Sequence, residues 1–239
     1  MNLEEFNVFF ENELIKNNIN IPKDTYKSFF EYMNGIIEWN EKINVTAITE
    51  PKMFIVKHFI DSLTVSRYLE NKNKLLDIGT GAGFPGIPLK IANPSKKITL
   101  IDSVNKKLNV IRDVADKIKL KDIEIIHTRA EDLANRKEHR ERYDVVVTRA
   151  VSNMPTILEY MLPFVKLNGI AICMKGPNIE EDINNCKEAL RILGGKIEKI
   201  EKIKIDNELE RNIIIIRKEQ KTPNKYPRSG GKPLREPII

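Results

Sequence analysis

Cysteine, histidine and long apolar runs are all scarce in this chain, and each scarcity excludes a class of protein. Two cysteines, Cys173 and Cys186, and three histidines, His58, His127 and His139, are scattered without metal-ligand spacing. Structural roles are expected for all five, and no protein-bound metal is expected. No apolar stretch approaches the roughly eighteen residues of a membrane span. The amino terminus, MNLEEFNVFF, is acidic and lacks the basic start and cleavage site of a signal peptide. Repeats and long low-complexity segments are missing too. A cytoplasmic protein without membrane association is the expectation.

What is present suits one large domain, or one domain with an appendage. The 239 residues are 41% hydrophobic and 31% charged, ordinary for a soluble globular chain. The net charge of +6 is unevenly spread: residues 1–72 hold eight Lys/Arg against eleven Asp/Glu, whereas 218–239 hold six against two. The intervening residues are therefore also basic. A basic core with a basic tail is the electrostatic footprint of a polyanion binder.

Residues 1–72 read as a helical cap. Leu3, Phe6, Phe10 and Leu14 recur at spacings of three and four, as do Tyr26, Phe30, Met33 and Ile37 behind a capping Asp24. A third helical stretch runs from Met53 to Leu69. From Lys74 the pattern becomes apolar strand, then helix, repeated: strands at 74–78, 97–102, 123–127, 143–149 and 169–175, with a clear helix marked by Val104, Leu108, Ile111, Ala115 and Ile118. That alternation implies right-handed crossovers and a parallel sheet. After a helix at about 179–193, KIEKIEKIKI and NIIIIRK are joined by only a short polar DNELER link, so they must pair antiparallel. The expected architecture is a doubly wound α/β fold: a mostly parallel, seven-stranded sheet ending in an antiparallel hairpin. Its core spans 73–218. The Pro/Gly-rich tail, 219–239, is either a frayed end or an ordered cover over a basic cleft.

The strongest chemical signal is LLDIGTGAGFPGIPL, a strand end followed by a glycine-rich turn and a helix opening near Pro85. Gly79, Gly81 and Gly83 permit positive φ and close approach to a ligand, at the switch point where open α/β sheets bind. The same letters fit a dinucleotide loop from Gly81. Three observations favour S-adenosylmethionine instead: Asp77 sits two residues before the first glycine, the nominal dinucleotide motif starts late and contains Pro85, and no second domain exists for a hydride acceptor. Asp102, closing the second strand, is placed to accept bonds from both ribose hydroxyls, each worth roughly 1.5–3 kcal/mol. It also suits the cap of the following helix. Ala130 and Glu131 follow the third strand, where adenine is expected; Glu131 alternatively serves only the helix dipole. Arg149 ends the fourth strand facing the same cleft.

The motifs KH-x-x-DSL (Lys57, His58, Asp61, Ser62, Leu63), DIGTGAGFPGIPL, IDS-x-x-KK, RAED, DVVVTRAV and R-x-x-G-x-P (Arg228, Gly231, Pro233) occur in that order. Together they resemble the bacterial small-subunit ribosomal RNA guanine-N7 methyltransferase family, over about Asn44 to the end. Lys57 stands where arginine is common there, and Arg235 where lysine is. The resemblance implies the class I S-adenosylmethionine methyltransferase fold and cofactor contacts at Gly79, Phe84, Ala130, Glu131 and Arg149. It also implies a guanine target in the 530 loop of 16S RNA, so the partner is that RNA or the small ribosomal subunit.

The absence of an obvious general base fits such a target, since guanine N7 already presents a lone pair. An exocyclic-amine methylase would carry Asn/Asp-Pro-Pro-aromatic after the fourth strand; here that place reads Thr148-Arg149-Ala150-Val151. Arg149 or Lys175 is a candidate to bond guanine O6. Arg228, Lys232 and Arg235 in the tail are candidate RNA contacts that leave cofactor binding alone. A monomer is expected. The competing readings are a non-catalytic RNA-binding module, a methylase of another RNA or of a small molecule, and, last, an NAD-dependent dehydrogenase.

Overall fold

Each element of the fold is traceable to local chemistry in a computed structural model that describes residues 1–149, 152–206 and 209–239. Helix α1 (Leu3–Lys16) starts at a capping box: the Asn2 side chain accepts from Glu5 N, and the Glu5 carboxylate accepts from Asn2 N, both at 2.9 Å. Helix α2 (Tyr26–Asn40) follows a 3-10 turn at Lys23–Thr25. Next come α3 (Pro51–Phe54), a π turn (Ile55–Ile60) and α4 (Asp61–Leu63), wound as one continuous run.

The core then alternates: β1 (Lys74–Ile78), α5 (Gly86–Ala92), β2 (Lys97–Asp102), α6 (Asn105–Lys117), β3 (Ile123–His127), α7 (Ala130–Leu133), β4 (Tyr143–Thr148), α8 (Met154–Met161) and β5 (Val165–Lys175). Two short helices, α9 (Glu180–Asn185) and α10 (Lys187–Leu193), precede β6 (Gly195–Lys204) and β7 (Glu210–Lys218), and α11 (Lys232–Arg235) lies in the tail.

The seven strands run in the order β3-β2-β1-β4-β5-β7-β6. All neighbours are parallel except β5–β7 and β7–β6, which are antiparallel. The order reverses between β1 and β4, so their carboxyl ends open the crevice in which ligands of open α/β sheets sit.

Alternation along the strands divides the core into two layers. Leu75, Val145, Val147, Ile172 and Ile215 pack with Phe6, Phe29 and Phe59, so the amino-terminal helices share a core with one face of the sheet. Leu76, Val146, Cys173 and Ile214 pack with Leu158, Met161 and Leu190 on the other.

Four sequence expectations need correction. Asp24 does not cap α2: the 3-10 turn runs straight into the helix, and the preceding Thr25 is already helical at φ −81°, ψ −17°. The buried stripe of α2 centres on Phe29, Tyr32, Met33 and Ile36, with Phe30 and Ile37 half-buried. Gly35 sets that rotation, since a Cβ there would lie 2.8 Å from Val114 of α6. The fifth strand begins at Val165 rather than 169, and the helix before the hairpin is broken at Cys186. Ala150 and Val151, used to argue for a ring nitrogen, and Asn207 and Glu208 of the hairpin link lie outside the described residues.

Candidate functional site

The glycine loop after β1 is held from below by two carboxylates. Asp77 is fully buried, and its Oδ2 accepts from Thr80 Oγ1 at 2.6 Å and Gly86 N at 2.8 Å. Its other oxygen, Oδ1, is buried without a hydrogen-bond partner. Burial pushes the Asp77 carboxyl up to about 6, against the opposing pull of those two bonds. Asp102 is the second tie: Oδ2 accepts from Gly81 N and Oδ1 from Val104 N, both at 2.8 Å. Asp102 does not cap α6, whose N-cap is Val104 without a side-chain bond; each of its oxygens keeps a second acceptor position for a ligand.

Gly79 and Gly81 take φ of +70° and +59°, and a Cβ on either would meet nothing within 4 Å. Their backbone therefore faces open space. Gly83 is needed for a different reason: a Cβ there would run into Tyr32 Oη and Ile87.

Gly79 borders a cleft of about 1080 Å³ together with Asp102, Ala130 and Glu131, with Ile157, Tyr160 and Met161 of α8 as an apolar side; Gly81 does not border this cleft. Gly231 and Leu234 from the tail border it as well. Beyond the glycine loop lies a second cavity of about 180 Å³, which shares Gly79 and is lined by Thr46, His58, Phe84, Lys107 and Arg149.

Arg149 lines this second cavity. It donates from Nη1 to Lys57 O at 3.1 Å and Asp61 Oδ2 at 3.2 Å, and from Nη2 to His58 Nδ1 at 3.3 Å. Its guanidinium lies 5.2 Å from the Phe84 ring centre. A guanidinium only donates, so His58 Nδ1 is the acceptor and Nε2 carries the proton given to Thr46 Oγ1 at 2.8 Å. Burial, and then the Arg149 charge, lower the His58 imidazole to about 3. Asp61 has no exposure and also receives Arg211 of β7 bidentately, at 2.9 Å on each oxygen. One buried carboxylate thus fixes two guanidinium groups, one from the end of β4 and one from β7.

The other candidates fall into different surroundings. Lys175 donates to Ser152 O and pairs with Asp182, both at 2.7 Å, and borders neither cavity. Its ammonium ties β5 to the start of α8. Arg228 is turned inward onto the fully buried Glu159, with Nη2 to Oε2 at 2.7 Å, so its charge is spent within the protein rather than offered to phosphate. Lys232 is exposed and pairs weakly with Glu236 at 3.5 Å, and Arg235 donates to Gly230 O at 2.8 Å. Among the described residues no group of three or more His, Cys, Asp and Glu is arranged to hold a metal, and no helix is long and apolar enough to cross a membrane.

Sequence reasoning missed Thr46, Lys107, Tyr160, Arg211 and Leu234. Asp61 and Lys107 lie inside motifs noted in the sequence, but nothing local to those motifs tells which cavity they face.

A glycine cradle after β1, an acidic residue closing β2 and a sheet ordered 3-2-1-4-5-7-6 define a class I methyltransferase. The chain belongs to the rRNA small subunit methyltransferase G family, whose model matches residues 25–214. It is 45% identical over 217 residues to the ribosomal RNA small subunit methyltransferase G of Clostridium novyi (strain NT), covering 90% of this chain and 89% of that one. It is 46% identical over 222 residues to the protein of that name from Acetivibrio thermocellus, covering 92% and 91%. Among solved structures, M. jannaschii TYW2 in complex with AdoMet matches at TM-score 0.51 and 18% identity, over 65% of this chain and 74% of that one, a likeness of fold.

Proposed function

We propose that the protein transfers a methyl group from S-adenosylmethionine to N7 of a guanine in the 530 loop of 16S rRNA, acting as a cytoplasmic monomer on the RNA or the small subunit. The observation that carries this reading is the pair of cavities meeting at Gly79, one built for a nucleoside and one without a free base.

The residues fit the cofactor. Gly79 and Gly81 offer bare backbone, Asp102 retains acceptor positions for ribose hydroxyls, and Ala130 and Glu131 border the place for adenine. The unpartnered Asp77 Oδ1 is the kind of buried acceptor that a methionine ammonium satisfies. When bound, S-adenosylmethionine supplies a sulfonium-activated methyl group open to in-line attack.

The second cavity suits an acceptor that needs no deprotonation. His58 is held neutral with its Nδ1 already accepting, and the other titratable lining groups, Lys107 and Arg149, are cations. Guanine N7 has a lone pair and needs no base, and its O6 is a natural partner for a guanidinium or ammonium. What the protein contributes is fixed geometry between donor and acceptor, worth effective molarities of roughly 10⁵–10⁸ M in well-oriented reactions. Asp61, His58 and Phe84 supply that fixity to Arg149. Lys232 and Arg235, exposed on the tail, remain the proposed phosphate contacts there.

The test is to incubate the protein with methyl-labelled cofactor and small subunits, then map the label. A label at guanine N7 in the 530 loop is expected. A label on an exocyclic amine or ribose oxygen overturns the assignment.

A further inference from the structure

The tail is fastened to the two helices that border the larger cleft. Arg140 donates to Thr222 O at 3.0 Å and Tyr226 O at 2.9 Å, fixing the start of the segment. Arg228 then gives its backbone N–H and Nε to Glu159 Oε1 at 2.7 and 2.9 Å, and Nη2 to both Glu159 Oε2 and Glu236 O at 2.7 Å. Glu159 projects from α8 and has no exposure at all. A few residues on, Gly231 N donates to Glu131 Oε1 at 3.2 Å, and Thr156 Oγ1 of α8 donates to Pro233 O at 2.9 Å. These bonds leave Gly231 and Leu234 on the border of the cleft. Leu234 is 59% exposed, an apolar side chain left wet on the border of a site whose apolar lining includes Ile157, Tyr160 and Met161.

We propose that the tail forms the outer wall of the nucleoside end of this cleft, with Leu234 touching the bound adenosine and Arg228 acting as the positioning residue. The inference rests on reading the cleft as the S-adenosylmethionine site. Adenine has two flat apolar faces, and ligand pockets are lined mainly by apolar groups with a few placed polar ones. Asp102, Thr128 and Glu131 are among the polar groups here, and Leu234, held on α8 through the Thr156–Pro233 bond, adds to the apolar lining that Ile157 and Met161 provide. A tail built only to meet phosphate has no use for burying its arginine on a carboxylate or for aiming a leucine at the cleft. Arg228 does both through Glu159: it neutralises a buried charge and sets where the α11 turn lies.

Calorimetric titration of S-adenosylhomocysteine and of adenosine decides the matter, on wild type, Leu234→Ser, Arg228→Ala and Asp102→Ala. Leu234→Ser is expected to weaken both ligands about three- to tenfold, as loss of one partly buried aliphatic contact should. Its thermal midpoint without ligand should stay near wild type, because Leu234 is mostly exposed. Arg228→Ala should weaken both ligands at least as much; if it unfolds, Leu234→Ser alone carries the test. Unchanged affinities in Leu234→Ser, beside a clear loss in Asp102→Ala, overturn the inference and leave the cofactor site standing. An unchanged affinity joined to a raised KM for small subunits makes the tail an RNA contact and overturns it equally. If wild type binds neither ligand, the cofactor reading and the inference fall together.

Discussion

The His58 imidazole lies flat on the Phe84 ring, with centroids 4.3 Å apart and planes 7° from parallel. One residue comes from the π turn and the other from the glycine loop, so the stack joins the amino-terminal helices to the cofactor side of the sheet. Arg149 braces both, donating to one ring and covering the other. A protonated imidazole would lose its acceptor there and face the Arg149 charge.

Acid should therefore loosen this junction. The folded value of His58, about 3, lies below the ordinary value of 6.5, so on acidification the unfolded chain takes up the proton first. Its contribution to stability is complete above about pH 6.5 and is lost as pH falls toward 3. Urea unfolding near pH 7.5 and near pH 5 should show a larger loss in wild type than in His58→Asn. Equal losses in the two proteins rule His58 out as the source.

The Asp77 carboxyl is shifted the other way, upward. Its folded value, about 6, lies above the ordinary 3.8, so the free protein keeps it protonated at mildly acid pH. A ligand ammonium pairs with the ionised form, so S-adenosylhomocysteine should bind more tightly as pH rises through about 6. Asp77→Asn should flatten that dependence. A profile that is identical in both proteins removes Asp77 from the ammonium site.

Asp102→Ala should weaken S-adenosylhomocysteine at least tenfold, since two charge-assisted bonds at roughly 1.5 kcal/mol each exceed that factor. The loss includes the two backbone N–H groups, Gly81 and Val104, that the carboxylate now fixes. Calorimetry on a folded variant checks this, and undiminished affinity contradicts the ribose role.

Gly79→Val should abolish both cofactor binding and methyl transfer. The position has φ +70°, unfavourable for a branched residue, and its missing Cβ faces the cleft. Methylation of small subunits at the wild-type rate would falsify the placement of the cofactor at this loop.

Asp61→Ala leaves Arg149 and Arg211 without their shared anion. Breaking a buried pair from one side costs about 3–5 kcal/mol, and the lower end applies because the two side chains keep 19% and 23% exposure. Chemical denaturation measures the loss. A change below about 1 kcal/mol would show that water replaces the carboxylate.

The strands and the hairpin were readable because they depend on period and loop length: a run such as NIIIIRK buries both faces, and a six-residue link permits only an antiparallel return. The order of the strands, with β7 rather than β6 beside β5, was not. The glycine loop was readable because Gly79 and Gly81 answer to backbone conformation, a local property. Arg228 was misjudged because its partner, Glu159, lies 69 residues earlier in sequence on a helix with no motif. The partners of Lys175 were hidden likewise: an ammonium at a strand end looks free until Asp182 and the Ser152 carbonyl are placed beside it. The α2 stripe slipped because Gly35, which reads as a weak point in a helix, is where Val114 of α6 packs against the bare backbone. Charge in a sequence is visible; its neutralisation is a tertiary fact.

The place of β7 between β5 and β6 sets an order of assembly during synthesis. β6 leaves the ribosome before the strand that joins it to the sheet, and β5 meanwhile presents an unpaired edge backed by Ile170 and Ile172. Only when Ile213–Ile216 arrive do both edges close, and that insertion is the last step in building the sheet. β6 waits for it with Lys196, Glu198, Lys199, Lys202 and Lys204 exposed along its length, side chains that discourage pairing with another chain. The same charges guard the finished sheet, where β6 is a permanent edge.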